Sequence, residues 1–249
     1  MRLHLCTWKE VEAYLTEQSG IIIPIGSTEQ HGPNGLVGTD ALCAEAVALR
    51  VGDKTDALVG PTLSIGMAQH HLGFAGSVTL RPTTLIAVIC DVVNSLACHG
   101  FDRFFFINGH GGNVATASAA FSEIYGQAAL VDGRSGLRCR LENWWQNEAV
   151  MKISRKRFAE SEGSHATPFE VSLTYHLYPE DAARIFGTEL SPKVAPKGPI
   201  YDAADYRRRF ADGRIGSDPG LASGEAGEQL LAAATKAISA RYLEFLAED

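Results

Sequence analysis

Short apolar runs separated by glycine, proline and polar residues dominate the first half of the chain. The runs are "IIIPIG" at 21–26, "DALVGPTLSIG" at 56–66 and "RFFFINGHGG" at 103–112. Continuous apolar runs of this length, without alternation, are typical of strands buried on both faces of a parallel sheet. The pattern therefore predicts three buried strands, each of which leads into a polar loop.

Helical patterns lie between these runs. Apolar residues recur at helical spacing over 39–52 and over 82–100; the second segment opens with Pro82, and both close at glycine. Strands that alternate with helices predict an α/β fold, here a three-layer α/β/α arrangement with a mostly parallel sheet. Open sheets of this kind place their binding sites beyond the carboxyl ends of the strands. The polar loops occupy that position.

The second half of the chain continues the alternation less regularly. Residues 187–223 combine many prolines, glycines and charges with little periodicity, and we interpret them as a long ordered excursion that lines a pocket or forms a subunit contact. The remaining predicted elements are a helix over 113–125 with Asn113 as its N-cap, a strand over 137–145, a helix over 168–178 and an amphipathic C-terminal helix.

Composition narrows the functional class. The 249 residues are 45% hydrophobic without an obvious break in composition, which predicts a single domain spanning 1–249. The net charge of −7 argues against a nucleic-acid-binding surface, which needs a face rich in lysine and arginine. No apolar run is long enough to span a bilayer, and the first residues lack the pattern of a secretory signal. Five scattered cysteines fit reduced thiols, so we expect a cytoplasmic protein that binds a small molecule and no membrane.

The first candidate cluster follows the first predicted strand. Glu29 and His31 stand two residues apart in "PIGSTEQHGP", and Asp40 opens the next predicted helix. Carboxylate and imidazole groups are common metal ligands. Two alternatives stay open: Glu29 and His31 are solvated side chains on an exposed loop, or Asp40 is a helix cap.

The second cluster is "NGHGGN" at 108–113, directly after the phenylalanine-rich strand. Glycines on both sides of His110 allow the backbone to approach another group closely. A nucleotide-binding loop is the competing interpretation. However, the G-x-G-x-x-G and G-x-x-x-x-G-K-[ST] spacings are absent, and no lysine follows to meet a phosphate.

The third cluster is "GSHATPFEVS", in which His165 and Glu170 lie five residues apart across the loop-to-helix junction at Pro168. Each has an ordinary explanation. A lone histidine is commonly a structural residue with satisfied hydrogen bonds, and a glutamate near a helix start is favoured by the helix dipole alone.

Together, the predicted loops offer nitrogen and oxygen ligands without a thiol, which suits zinc, manganese or iron(II). Three carboxylates carry −3, so one divalent ion leaves −1, whereas two ions give +1 and a hydroxide brings the site to zero. We therefore predict two divalent ions per subunit, with zinc as the first choice and manganese or iron as alternatives. The predicted ligands are Glu29, His31, Asp40, His110 and Glu170.

Four ordered motifs give the chain a family resemblance. "PIGSTEQHGPNGLVGTD", "GFAGSVTL", "FINGHGGN" and "HATPFEVS" resemble the creatininase family of metal-dependent amidohydrolases, from about residue 5 to about residue 245. The resemblance implies an α/β/α domain with a dinuclear metal site, in which an aspartate bridges two ions and an activated water attacks a carbonyl. It places Glu29, His31, Asp40 and His110 on ligand positions, and Glu170 on the family's later glutamate.

Two departures from creatininase proper stand out. Creatininase has a metal-binding glutamate two residues after the counterpart of His110, where this chain has Gly112; Glu170 would then supply the missing carboxylate. The family's frequent second histidine after "EQHGP" is replaced by Asn34, followed by Gly35, so we expect a different pocket wall.

Further residues are candidates for the pocket. The resemblance makes His165 the candidate for moving a proton to the leaving nitrogen, and a pKa near 6.5 suits that role; a structural role is the alternative. His70 and His71 cannot both point inward from an extended segment, so one of them, assigned as His71, is expected to line the pocket. Trp144 and Trp145 either form an aromatic wall for a flat substrate or pack in the core.

The resulting functional prediction is an amidohydrolase acting on a small cyclic or linear amide of creatinine or formamide type. The enzyme alternative is a hydrolase that opens the ring of a cyclic ketone of keto-inositol type by carbon–carbon cleavage. A catalytically inactive metal-binding or assembly subunit is the alternative from another class. The resemblance also implies a homo-oligomer, with a hexamer as the family precedent.

Overall fold

A four-stranded parallel sheet forms the centre of the molecule. The computed structural model describes residues 1–130 and 136–248. The strands of this part of the chain are arranged in the order β2-β1-β3-β4, and every neighbouring pair is parallel. Their bounds are β1 Gly20–Ile25, β2 Leu58–Val59, β3 Arg103–Asn108 and β4 Arg138–Asn143.

Helices cover the sheet and connect its strands. Their bounds are α1 Trp8–Leu15, α2 Thr39–Thr55, α3 Pro82–Ala97, α4 Asn113–Leu130, α5 Glu148–Phe158, α6 Pro168–Leu177, α7 Pro179–Ile185, α8 Ala203–Arg209 and α9 Gly224–Leu246. Within the described residues, no helix combines the length and the apolar character needed to cross a membrane.

The apolar run of β3 is continuous because both faces of the sheet are covered. Phe104 and Phe106 pack with residues of α1, α3 and α4 in one core cluster. Phe105 and Ile107 pack with residues of α2, α5, α6 and α9 in the other. All four side chains are fully buried, and each contributes roughly 1.5–3 kcal/mol of hydrophobic free energy. The predicted three-layer α/β/α architecture is confirmed.

Several predicted boundaries needed correction. The strand predicted over 56–66 is only two residues long; after it, Gly60 N still donates to the Ile22 carbonyl, and pairing resumes only as an isolated bridge between Leu63 and Ile25. The strand predicted over 103–112 ends at Asn108. Helix α4 begins at Asn113 as predicted, but the Asn113 side chain is not a cap: it accepts a hydrogen bond from Met67 N and donates one to the Gly26 carbonyl.

The excursion at 187–223 is ordered and folds back towards the carboxyl ends of the strands. It contains α8, and the buried guanidinium of Arg214 donates to the carbonyls of Pro192 and Lys193. Ile215 forms an isolated bridge with His165. This segment therefore closes one side of the region where the polar loops meet.

Candidate metal centre

The loops beyond the carboxyl ends of β1 and β3 meet at one edge of the sheet. Glu29 and His31 lie in the loop after β1, and His110 lies in the loop after β3, whereas Asp40 and Glu170 occupy the first turns of α2 and α6. All are buried except Glu170, whose side chain is 13% exposed. The structure brings the five predicted ligand residues together.

Two histidines face the two oxygens of Asp40. His31 Nε2 lies 3.1 Å from Oδ1, and His110 Nδ1 lies 3.1 Å from Oδ2. The other ring nitrogens lie against main-chain carbonyls: His31 Nδ1 is 3.0 Å from that of Glu29, and His110 Nε2 is 2.8 Å from that of Met67. Because a carbonyl only accepts, these nitrogens carry protons, and in the neutral rings the nitrogens facing Asp40 carry lone pairs. Each of these two contacts with Asp40 is therefore bridged either by a proton on the ring or, once that proton is lost, by a cation.

Glu29 carries the strongest sign of a cation site. Its carboxylate is fully buried, and neither oxygen receives a hydrogen bond from any residue in the described part of the chain. Oε1 lies 3.1 Å from His71 Nε2, and Oε2 lies 3.3 Å from His110 Nε2. Burying an ionised carboxylate without hydrogen bonds is strongly unfavourable unless positive charge compensates it.

The ordinary explanations of Asp40, as a helix cap, and of Glu170, as a glutamate favoured at a helix start, have different outcomes. Gly38 is the N-cap of α2, and the Asp40 oxygens face the two histidines instead of the helix end. Glu170 does cap α6, since its Oε1 accepts a hydrogen bond of 2.6 Å from Thr167 N. The same oxygen lies 3.9 Å from His31 Nε2, so Glu170 both caps the helix and faces the cluster.

The candidate ligands form overlapping groups whose donor atoms lie within 4.8 Å of one another. One group is Glu29, Asp40 and His110; another is His31, Asp40 and Glu170. Asp40 belongs to both groups, with one oxygen directed to each histidine, which is the geometry of a bridging carboxylate. The donors are nitrogen and oxygen only, so the residues fit a pair of zinc or manganese ions.

The charges of the cluster shift the pKa values of its members. Burial by itself would lower the pKa of His31, but the carboxylates of Asp40 and Glu170 outweigh burial and raise it to about 10. The pKa of His110 is raised to about 9, again against burial, by Glu29 and Asp40. Burial raises the pKa of Glu29, and it raises that of Glu170 to about 7. Protons on the two histidines thus balance the carboxylates in the metal-free protein, and metal binding must release them.

The departure at Gly112 has a steric explanation. A Cβ at this position would lie 2.7 Å from the Met67 carbonyl oxygen and would overlap His110 Nε2. Glycine therefore allows His110 to reach the carbonyl that orients its ring. Asn34, the other departure, is not among the residues lining the cavity: it is buried and donates to the Pro219 carbonyl.

His165 lies beside the cluster. It is buried, its Nε2 is 2.8 Å from the carbonyl of Gln30, and its Nδ1 is 3.8 Å from Glu29 Oε1. Burial and the neighbouring rings of His71 and His31 hold its pKa well below the usual range. His165 is therefore neutral, with the Nδ1 lone pair directed to the carboxylate cluster. It also forms a possible three-ligand group with Glu29 and His31.

A cavity of about 680 Å³ opens above the cluster. The two alternatives for the tryptophans divide between them: Trp145 lines the cavity wall, whereas Trp144 is 1% exposed and packs against Phe169 in the core. His71 lines the cavity, and so does His70. The expectation that only one of them faces inward was wrong, because residues 69–71 form a 3₁₀ turn instead of an extended segment.

Sequence reasoning missed two polar residues that organise the site. Gln30, between Glu29 and His31, contacts the rings of His71 and His165. Asn113 joins three loops through Gly26, Met67 and Asn108. Both residues stand inside the quoted motifs, which is a usable signal, but their partners are distant in the sequence.

Comparison with known proteins agrees with this geometry. The model of the creatininase family, described as creatinine amidohydrolase, matches residues 4–242. The chain is 28% identical to 3-dehydro-scyllo-inosose hydrolase of Thermotoga maritima, over 98% of this chain and 81% of that protein. It is 28% identical to creatinine amidohydrolase of Pseudomonas putida, over 94% and 92%. A shorter match, 38% identical, covers 40% of this chain and 42% of the mycofactocin precursor peptide peptidase of Mycolicibacterium smegmatis.

Solved creatininases have the same fold. The structure described as "Creatininase Mn" has a TM-score of 0.84 with 26% identity and covers 99% of both chains. A mutant creatininase of Zn-Zn type has a TM-score of 0.82 with 25% identity, over 99% and 98% of the two chains. With the family match across nearly the whole length and the clustered ligand residues, the chain belongs to the creatininase family of hydrolases.

Proposed function

We propose that this protein is a dinuclear metal-dependent amidohydrolase that adds water to the carbonyl of a small cyclic or linear amide. The observation that carries the proposal is the Glu29 carboxylate, which is fully buried and receives no hydrogen bond from the described residues. It lies beside Asp40, whose two oxygens each face a histidine ring nitrogen at 3.1 Å. Creatinine amidohydrolase activity in a relative matched over 94% of this chain supports the amide substrate.

The proposed ligands divide around Asp40. Glu29 and His110 would hold one ion, and His31 and Glu170 the other, with Asp40 shared. Two divalent ions at such a site supply, when bound, an activated water and positive charge for the carbonyl oxygen. Glu170 replaces the carboxylate that Gly112 cannot offer. Zinc is the first candidate, with manganese or iron as the alternatives.

His165 is the proposed proton carrier. Its Nε2–H is held by the Gln30 carbonyl, so Nδ1 presents a lone pair towards Glu29. From that position the neutral ring accepts a proton from the attacking water and passes it to the leaving nitrogen. The half-buried Trp145 ring offers a flat apolar surface for the substrate, and the buried cluster excludes bulk water from the reacting groups.

A second candidate function is the opening of a cyclic ketone ring by carbon–carbon cleavage. The observation in its favour is the match to 3-dehydro-scyllo-inosose hydrolase over 98% of this chain. The proposed ligands and proton carrier would serve this reaction equally, because both reactions begin with water adding to a carbonyl. Release of an amine or ammonia separates the two: amide hydrolysis produces it, and ring opening of a ketone does not.

The first experiment is metal analysis by plasma mass spectrometry of the wild type, Asp40→Ala and Asp53→Ala. Asp53 is an exposed residue of the same helix, so its variant controls for loss of a carboxylate. We expect about two ions per chain in the wild type and in Asp53→Ala, and loss of both in Asp40→Ala. An absence of stoichiometric metal in the wild type after supplementing zinc, manganese and iron(II) would refute the proposal and favour an inactive assembly subunit.

We also propose that the protein is a cytoplasmic homo-oligomer. Large apolar side chains around the excursion are exposed in the single chain, among them Phe186 at 68% and Tyr201 at 62%. Covering such side chains favours association. Light scattering of the purified protein gives the stoichiometry, and a monomer at micromolar concentration would exclude a stable oligomer.

A further inference from the structure

The side chain of Gln30, between the proposed ligands Glu29 and His31, has no role in the mechanism above. It is 6% exposed. Its amide nitrogen lies 2.9 Å from His71 Nδ1 and 2.9 Å from His165 Nε2. One side chain thus contacts two histidine rings next to Glu29.

The main chain fixes the orientation of the Gln30 amide. The N–H of Gly32 donates to Oε1 at 2.8 Å, and Nε2 donates to the carbonyl of Gly213 at 2.8 Å. A flipped amide would place an oxygen against the Gly213 carbonyl and an N–H against the Gly32 N–H. Gly213 has a φ of +86°, and a Cβ there would overlap the Gln30 side chain, so this contact requires glycine.

One amide hydrogen then remains for the histidines. His165 Nε2 faces the main-chain carbonyl of Gln30 at 2.8 Å and so carries a proton itself, which leaves His71 Nδ1 as the acceptor of this hydrogen. Because Gln30 Nε2 only donates, His71 Nδ1 is the acceptor and carries no proton. The proton of the ring is therefore on Nε2, which lies 3.1 Å from Glu29 Oε1. The lone pair of His71 is occupied by Gln30 and points away from the carboxylates.

The tautomer of His165 is set by a different atom of the same residue. Its Nε2 lies 2.8 Å from the main-chain carbonyl of Gln30, which only accepts. The side chain of Gln30 can therefore be changed while this carbonyl remains. His71 and His165 offer separate readouts of the side chain and of the main chain.

We infer that Gln30 is a positioning residue that keeps the proton of His71 on Nε2 and so excludes His71 from the metal ligands. His71 is as close to Glu29 as His110 is, but its unprotonated nitrogen is occupied by Gln30, whereas His31 and His110 turn a ring nitrogen towards Asp40. Gln30 thereby removes His71 from the nitrogen ligands available around the carboxylates. The consequence for catalysis rests on the proposed function, whereas the tautomer itself does not.

The test is ¹⁵N NMR of histidine-labelled protein, which distinguishes bare, protonated and metal-bound ring nitrogens. The spectra are recorded for the metal-free and zinc-loaded wild type, Gln30→Glu and Gln146→Glu, with His71→Gln to assign the His71 signals. Glutamate at position 30 replaces the donor by an acceptor of the same shape. Gln146 lines the same cavity but hydrogen-bonds to Asn143, so its variant adds the same charge away from His71.

We expect the wild type and Gln146→Glu to show His71 with a bare Nδ1 and a protonated Nε2, both unchanged by zinc. In Gln30→Glu we expect Nδ1 to gain a proton while His165 keeps its proton on Nε2. A wild type with the His71 proton on Nδ1, zinc-induced movement of its nitrogens, or an unprotonated Nδ1 in Gln30→Glu overturns the inference. If Gln30→Glu does not fold, the wild-type spectra with and without zinc decide it.

The same experiment separates this inference from the proposed function. If the expected His71 tautomer is found but no histidine signal responds to zinc, the metal-dependent mechanism fails and the tautomer assignment stands. If His31 and His110 respond to zinc and His71 responds as well, the mechanism stands and the exclusion of His71 is refuted. Replacing a residue that contacts the metal ligands without binding the metal typically lowers metal affinity or activity about 10- to 100-fold. We expect a loss in that range for Gln30→Glu.

Discussion

Replacing Gly112 with alanine tests whether a main-chain carbonyl fixes the orientation of His110. The wild-type ring is held by a 2.8 Å contact from Nε2 to the Met67 carbonyl, which leaves Nδ1 facing Asp40. An alanine Cβ at position 112 would lie 2.7 Å from that carbonyl oxygen and would overlap the ring. The carbonyl cannot move freely, because the neighbouring Met67 N–H is bound by Asn113.

The size of the effect follows from these distances. The 2.7 Å between the added Cβ and the Met67 carbonyl oxygen is roughly 0.8 Å short of the ~3.5 Å at which non-bonded atoms attract best. Because the same Cβ also overlaps the His110 ring, the ring has to move by a similar amount. A 2.8 Å hydrogen bond lengthened that far is lost. The unpaired carbonyl costs about 1–3 kcal/mol. Removal of a partner that orients a metal ligand costs about 10- to 100-fold in metal affinity.

Gly111→Ala is the matched control, since a Cβ at position 111 meets nothing within 4 Å. Zinc affinity is measured by competition with a chelating dye, and thermal unfolding is followed with and without zinc. We expect Gly112→Ala to bind one of two zinc ions about 10- to 100-fold more weakly and Gly111→Ala to match the wild type. Wild-type zinc affinity in Gly112→Ala would refute the proposed role of the Met67 carbonyl.

Three further outcomes are expected. In the metal-free protein, the pKa values of His31 and His110 are raised to about 10 and about 9, so these rings favour folding while they are charged. This stabilisation is complete below the unfolded pKa near 6.5 and is lost as the pH rises through the folded values. The melting temperature should therefore fall between pH 7 and 10, and a rise would contradict this expectation. His165→Asn should lower kcat by about 10²- to 10⁴-fold at unchanged zinc content, and loss of zinc would instead make His165 a ligand. Trp144→Ala should lower the free energy of unfolding in urea by about 3–5 kcal/mol, whereas Trp145→Ala should mainly raise KM. An equal loss of unfolding free energy in both variants would contradict the assignment of Trp145 to the cavity wall.

The elements of the fold could be predicted well from the sequence where one strong local signal dominates. The phenylalanine run of β3 is apolar at every position and ends in asparagine and glycine, so its burial and its end are both visible. Helix α3 is marked by Pro82 at its start. The strand at 56–66 was overestimated because apolar residues continue after Val59, although only an isolated bridge at Leu63 pairs with β1 there. Trp144 and Trp145 have identical local signals, and only packing separates core from cavity.

Local patterns and residue types were enough to predict the strand–helix alternation, the five candidate ligands and the absence of a thiol among them. The folded chain was needed to show that the two oxygens of Asp40 face two different histidines and that Gln30 contacts Nδ1 of His71. Those contacts join residues that are distant in the sequence, 41 positions in the case of Gln30 and His71, and their geometry depends on strand register and on carbonyls such as that of Met67. Hydrogen-bond direction is a property of that assembled geometry, which no local pattern specifies.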